Sequence, residues 1–223
     1  QPVPEILRSQ LDKVDTEVFY NKAKLFFISA VLFLLIGISL FVPKFQSLLK
    51  FRLTQILFAV PILILGVGFA IRVYITGFAP VTNMYGTMIW VSFGISIFSL
   101  ALLALYRNYI LTGCLWIGCA VVLLLTESIP IILSPDLDPI VAVLRSNLWL
   151  TIHVLTIVIS YAAFSITMIL SNVVLVRSII FNIYDDETVQ SFSHSIYRMT
   201  QLGVFLISVG IILGGVWADY SWG

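Results

Sequence analysis

Charge is what this sequence has least of. Only 10% of its 223 residues are Asp, Glu, Lys or Arg, where a soluble domain of this size carries about 25%. The two signs nearly cancel, 12 Lys and Arg against 11 Asp and Glu. With no basic face to offer, the chain is not a nucleic-acid binder. Cysteine is scarce as well. Cys114 and Cys119 stand five apart in an apolar run, a spacing that is neither CxxC nor one helical face. No disulfide or metal pair is expected between them, and both read as small buried hydrophobes. Histidine occurs twice, as His153 and His194. The sequence holds no Ser–His–Asp set, phosphate loop or metal-ligating cluster, which leaves no hydrolase or kinase constellation. It also lacks an initiator methionine and a secretory signal pattern. These absences, and an aromatic-rich run just begun at Trp222-Gly223, lead to the expectation of a longer polypeptide.

What is present is apolar length. The hydrophobic share is 60% and the mean hydropathy is +1.08. Apolar runs near or above the roughly 18 residues that span a bilayer recur along the chain. The expected fold is an all-α, polytopic integral membrane helical bundle. It has a polar N-terminal tail or linker at 1–24 and a transmembrane module at 25–223. Six spans are placed at about 25–42, 53–75, 84–106, 110–129, 148–180 and 201–216. Pro43 stops the first, Pro61 is expected to kink the second, and Arg107-Asn108 marks a tight turn between the third and fourth. Residues 130–146 form a proline-containing loop, 182–198 a polar connector, and 217 onward an outer loop. Gly210-Ile-Ile-Leu-Gly214 in the sixth span is a small-xxx-small packing signal.

Six spans place connectors on alternate sides. Lys44, Lys50, Arg52, Arg107, Arg177 and Arg198 share one side, and Arg72 and Arg145 mark the other. The positive-inside rule makes the first side cytoplasmic, although Lys22 and Lys24 run against it. Residues 76–83, 130–147 and 217–223 then gather on the outer face. His153 lies just beneath that face, roughly 9 Å inside the fifth span at 1.5 Å per residue. An ionisable group at such depth is costly and often marks a function. Steps of three and four put Ser146, Trp149, His153, Thr156, Ser160, Ala163 and Thr167 on one face. Leu150, Val154, Leu155, Ile157, Val158 and Ile159 face lipid or a dry interface. A histidine hydrogen-bonded inside a bundle fits this helix alone as well as a ligand does.

Three outer-face segments read as one set: Gly77-Phe-Ala-Pro80-Val-Thr-Asn83-Met-Tyr85, residues 138–153 with Ser146-Asn-Leu-Trp149-Leu-Thr-Ile-His153, and Gly214-Gly-Val-Trp217-Ala-Asp219-Tyr-Ser-Trp222-Gly223. In this order and spacing they resemble the cytochrome c assembly family of the CcsA/ResC type. Its members are haem-handling membrane proteins with a tryptophan-rich outer loop, the WWD domain. The resemblance extends over residues 70–223, and the loop departs from the common pattern at Phe78 and Gly86. It implies cytochrome c biogenesis outside the cytoplasm: haem b, as substrate or transient ligand, is held and presented to an apocytochrome c CxxCH motif. It also implies a bacterial inner membrane with the haem site on its periplasmic face, and a CcsB/ResB-like subunit or fused domain as partner. A role within a cytochrome c synthase (haem lyase) complex is left open. His153 matches the family's first outer-face axial histidine, and Trp217, Asp219, Trp222 and Gly223 match the start of its tryptophan-rich segment.

The chemistry of haem fits these residue types. A flat apolar macrocycle with propionates and an iron that accepts imidazole needs an aromatic platform, an axial ligand and a polar rim. His153 supplies the ligand, Trp149, Trp217, Tyr220 and Trp222 stacking area, and Asn83, Tyr85 or Arg145 a rim. Each has a plainer reading. Trp and Tyr anchor helices at membrane interfaces, Asn83 suits an N-cap, and Arg145 suits an ion pair with Asp136 or Asp138. His194, in SFSHSIYR, falls on the cytoplasmic side and reads as solvated or helix-capping. Two other functions remain: a membrane transporter, and a di-haem electron-transfer cytochrome needing a second intramembrane histidine.

Overall fold

The structure, a computed structural model, describes residues 5–48, 51–77, 79, 81–137, 148–180 and 186–222. Of these, 5–10, 48, 51–55, 148–150, 186–188 and 221–222 are described by backbone alone. All regular structure among them is α-helix. The helices are α1 (Glu5–Ala23), α2 (Leu25–Ser39), α3 (Pro43–Leu48), α4 (Phe51–Thr76), α5 (Met84–Tyr106), α6 (Tyr109–Ser128), α7 (Leu148–Ile179) and α8 (Asp186–Trp222). Six segments among the described residues are long and apolar enough to cross a membrane: Leu11–Ser39, Ile56–Thr76, Met84–Tyr106, Tyr109–Ser128, Thr151–Ile179 and Val189–Tyr220. The first includes the last part of α1 and is interrupted at Lys24, which adopts a left-handed conformation (φ 44°) between α1 and α2.

Helix ends follow local chemistry where a polar side chain can serve. The Asn83 side chain accepts the Gly86 amide at 2.8 Å and starts α5. Arg107, left-handed at φ 50°, closes that helix by returning its N–H to the Leu103 carbonyl. Asn108 then accepts the Leu111 amide at 3.0 Å and opens α6. One C-cap followed directly by one N-cap makes the tight turn foreseen at 107–108. Pro61 does not interrupt α4, and the Ser29 hydroxyl of α2 donates to its carbonyl at 3.1 Å.

The core lies among α2, α4, α5 and α6. Trp116 is fully buried, edge-on to Phe33 (4.9 Å) and Phe58 (4.4 Å). Its indole N–H donates to the Ser99 hydroxyl at 2.6 Å, so the ring enters the core without an orphaned donor. α2 and α6 approach closely because each lacks a side chain at the crossing: a β-carbon on Gly37 would lie 3.2 Å from the Gly113 carbonyl, and one on Gly113 would lie 3.0 Å from that of Gly37. α7 joins this core through α5. Trp90 donates to the Leu155 carbonyl at 3.3 Å, and Ala162 and Ile159 occupy the space left by Gly94.

α7 and α8 form a long antiparallel pair whose register stays constant. His153 lies against Gly214, Ile157 against Gly210, and Phe164 against Gly203. The Thr167 and Thr200 hydroxyls meet at 3.3 Å. Here the structure departs from expectation. Residues 186–198, expected within a polar connector, and 217–222, expected in a loop, are helical parts of α8. No proline occurs between Asp186 and Trp222, and three of the helix's glycines are filled by α7 side chains. Polar groups of its first half bond within the helix: Ser195 to the Ser191 carbonyl, Thr200 to that of Ile196, and Gln201 to the Tyr197 hydroxyl.

Candidate functional site

His153 sits in the second turn of α7 and is half-buried. Its Nδ1 is 2.7 Å from the Gly210 carbonyl of α8. A carbonyl can only accept, so Nδ1 carries the proton in this contact. Nε2 makes no hydrogen bond among the described residues, and on a neutral ring it holds the lone pair. The ring lies over Gly214. A β-carbon there would stand 2.8 Å from Nδ1 and 3.0 Å from Nε2 and would overlap Cε1. The glycine pair read as a packing signal therefore does two jobs, with Gly210 taking Ile157 and Gly214 taking the imidazole.

Trp217 follows Gly210 and Gly214 on one face of α8, at steps of four and three, and is half-buried. The antiparallel register sets it level with residue 150, about one turn outward from His153. Trp149 lies one turn before His153 on α7 and is described by its helical backbone. His153, Trp149 and Trp217 thus belong to one end of a single helix pair. Asp219 and Tyr220 lie further along α8 and are exposed, Tyr220 at 78%. Trp222 is described by backbone alone. Gly223, Arg145 and Phe78 lie outside the described residues. His194 is exposed on α8, roughly 24 Å along the helix from Gly210.

Asn83 and Tyr85 belong elsewhere. Asn83, besides capping α5, donates its amide to the Ser134 and Asp136 carbonyls at 3.3 Å each. Its polar atoms are committed to the fold, which accords with the cap reading. Tyr85 is buried, 5% exposed. Its hydroxyl donates to Glu127 of α6, and the Arg72 guanidinium sits 4.9 Å from its ring centre. Arg72, itself 2% exposed, donates to the Tyr20 hydroxyl (3.2 Å) and to the carbonyls of Pro135 (2.8 Å) and Asp136 (3.2 Å). This cluster of Tyr20, Arg72, Tyr85 and Glu127 ties α1, α4, α5 and α6 to the loop ahead of α7. Sequence reasoning counted Arg72 only as a loop charge and passed over Glu127. The signal was there: an arginine and a glutamate each within a turn of the end of an apolar span.

The donor set fits a haem iron on two structural grounds. The imidazole is oriented by a hydrogen bond at one nitrogen, as metal-ligating histidines usually are. The missing side chain at Gly214 forms a cradle that the imidazole ring fills. No group of three or more His, Cys, Asp or Glu among the described residues could hold a bare metal ion.

Comparison with known proteins agrees with the residue pattern. The family model described as cytochrome C assembly protein matches residues 81–223. The chain is 27% identical to protein NrfI of Wolinella succinogenes, over 98% of the chain and 25% of that protein. It is 29% identical to cytochrome c biogenesis protein CcsA of Prochlorococcus marinus, over 96% of the chain and 77% of that protein. To CcsA of Chlamydomonas reinhardtii it is 26% identical, over 85% of the chain and 54% of that protein. The chain thus spans a quarter of NrfI and between half and about three quarters of these CcsA proteins. The six apolar helices among its described residues and these relatives make it an integral membrane protein, and the chain belongs to the cytochrome C assembly protein family.

Proposed function

We propose that this protein holds haem at the outer face of the inner membrane and presents it to apocytochrome c. The observation that carries the reading is the state of His153, tied through Nδ1 to Gly210 with Nε2 left to bind iron. Haem is the substrate here. Its two vinyl groups each take a cysteine S–H across the double bond, an addition that consumes no oxidant. The chain's part is to hold and orient. His153 supplies an axial nitrogen, and Trp217, with Trp149 one turn from His153, supplies apolar aromatic surface at the same end of the helix pair. The length of NrfI relative to this chain supports a division of labour with further polypeptide, which we assign to a CcsB/ResB-like subunit or fused domain.

The test is an absorption spectrum of the purified full-length protein beside its His153→Ala variant, with cytochrome c maturation followed in cells. A Soret band with reduced α and β peaks, weakened in the variant, together with lost maturation is the expected result. Unchanged spectra and normal maturation would return His153 to a helix-packing role.

A further inference from the structure

We propose that Gly214 is a positioning residue for His153: its missing side chain opens the Gly210 carbonyl to the Nδ1–H of the imidazole and thereby fixes Nε2 as the iron-binding atom. The inference rests on the haem-ligand reading of His153 and adds the residues that select the nitrogen.

The argument begins with helix geometry. In an α-helix the carbonyl of residue 210 already accepts the N–H of residue 214. Side chains lean toward the helix N-terminus, so a side chain at 214 lies over the turn that holds the 210 carbonyl. At this crossing the imidazole can reach that oxygen only through the space a side chain at 214 would fill. At Gly214 that side chain is absent, and the space is filled by His153 Cε1, Nδ1 and Nε2. The 2.7 Å contact from Nδ1 to the Gly210 carbonyl is the outcome. Even alanine would put a carbon inside the ring's contact distance. The other glycines of the seam differ in kind, because Gly203 receives Phe164 and Gly210 receives Ile157, contacts of packing alone. Gly215, one residue on, faces open space and orients nothing.

The tautomer follows from the acceptor. With Nδ1–H bound to a carbonyl, the lone pair resides on Nε2. Without that bond the ring is free to rotate about its side-chain torsions and to exchange tautomers. Removing partners that orient metal-binding histidines typically weakens metal affinity about 10–100-fold.

Gly214→Ala and Gly203→Ala separate orientation from packing. Both place a methyl against an α7 ring on the same seam, and only the first displaces an imidazole. The full-length protein in lipid nanodiscs is titrated with ferric haem b, and the visible and electron paramagnetic resonance spectra are recorded. Gly203→Ala is expected to keep the wild-type haem signature. Gly214→Ala is expected to lose the His153-dependent signature and to weaken haem binding about tenfold. A His153-dependent signature that survives in Gly214→Ala overturns the proposal. Histidine ¹⁵N spectra of the haem-free protein, with the His153 signals assigned by their loss in His153→Ala, test the same geometry without touching the seam. The Nδ1–H tautomer is expected, and an Nε2–H tautomer overturns the proposal even if Gly214→Ala fails to fold. If wild type and His153→Ala bind haem with identical spectra, the ligand reading fails. The tautomer measurement then still decides whether Gly214 orients the ring.

Discussion

At Arg72 a buried cation reaches three hydrogen-bond acceptors on two separate segments, Tyr20 on α1 and the carbonyls of Pro135 and Asp136 in the loop before α7. A planar guanidinium can do this, whereas a lysine ammonium offers one compact charge without the fork. Arg72→Ala would strand the Pro135 carbonyl, leave that of Asp136 to Asn83 alone, and take the positive charge from over the Tyr85 ring. Breaking such buried polar contacts costs about 3 kcal/mol. For a chain of this size that lowers the melting temperature by roughly 6–12 °C, and Arg72→Lys is expected to recover little of it. Tyr85→Phe removes the bond to Glu127 but keeps the loop contacts of Arg72, and costs about 1 kcal/mol. Thermal unfolding of the three variants in one detergent gives the order. Equal losses in Tyr85→Phe and Arg72→Ala would show that the loop contacts contribute nothing. The cluster also marks a limit of reading by position. Arg72 and Glu127 are 55 residues apart, and no periodicity links residues brought together by helix packing.

Among the elements, α7 and α8 carry the site, and their pairing rests on one register repeated from His153 with Gly214 to Thr167 with Thr200. Cysteines at Thr167 and Thr200 are therefore expected to form a disulfide on mild oxidation, in a background with Cys114 and Cys119 replaced. Cysteines at Ser160 and Thr200, two turns out of step, are not. Gel mobility under non-reducing conditions reads the result, and cross-linking of the second pair in preference to the first would contradict the register. The α7 face was legible because spacings of three and four translate directly into a stripe, and the stripe from His153 through Ser160 and Ala163 to Thr167 turns inward in the fold. The ends of α8 were not. Hydropathy changes near residues 198–201 and again at 217, but it reports the surroundings of a helix rather than where its backbone hydrogen bonds stop. Helix ends were legible where a cap is written into the sequence, as at Asn83 and Asn108. Along α8 no such stop exists before Trp222, so the aromatic residues expected in a loop extend the helix that packs against His153.

At the scale of the whole molecule, the alternation of six spans fixes which segments share a side. The turns at 40–42, 107–108 and 180 fall at one end of the bundle. Gly77, residues 81–83, the loop 129–137 and the end of α8 fall at the other, together with His153 and the Arg72 cluster. Hydrogen bonds support the second grouping, because Asn83 and Arg72 both hold the 134–136 backbone. At the first end, Asn108 donates to the Ser191 hydroxyl at 3.1 Å and joins the α5–α6 turn to the start of α8. Which end faces outward depends on charge, and the positive-inside rule predicts a cytoplasmic place for the end with basic residues at 44–52, 107, 177 and 198, with Lys22 and Lys24 running against it. Exposed positions allow a direct test in the cysteine-free background. Ile131, 97% exposed, represents the His153 end, and Ser47 and Ser193, both exposed, represent the other. In intact cells a membrane-impermeant maleimide is expected to label Ile131→Cys and to spare Ser47→Cys and Ser193→Cys until the membrane is opened. The reverse pattern would keep the fold and invert it in the membrane, placing His153 on the cytoplasmic side and ruling out delivery of haem at the outer face. Labelling of Ser47 and Ser193 from opposite sides would contradict the six-span alternation itself, because two positions separated by an even number of crossings must share a side.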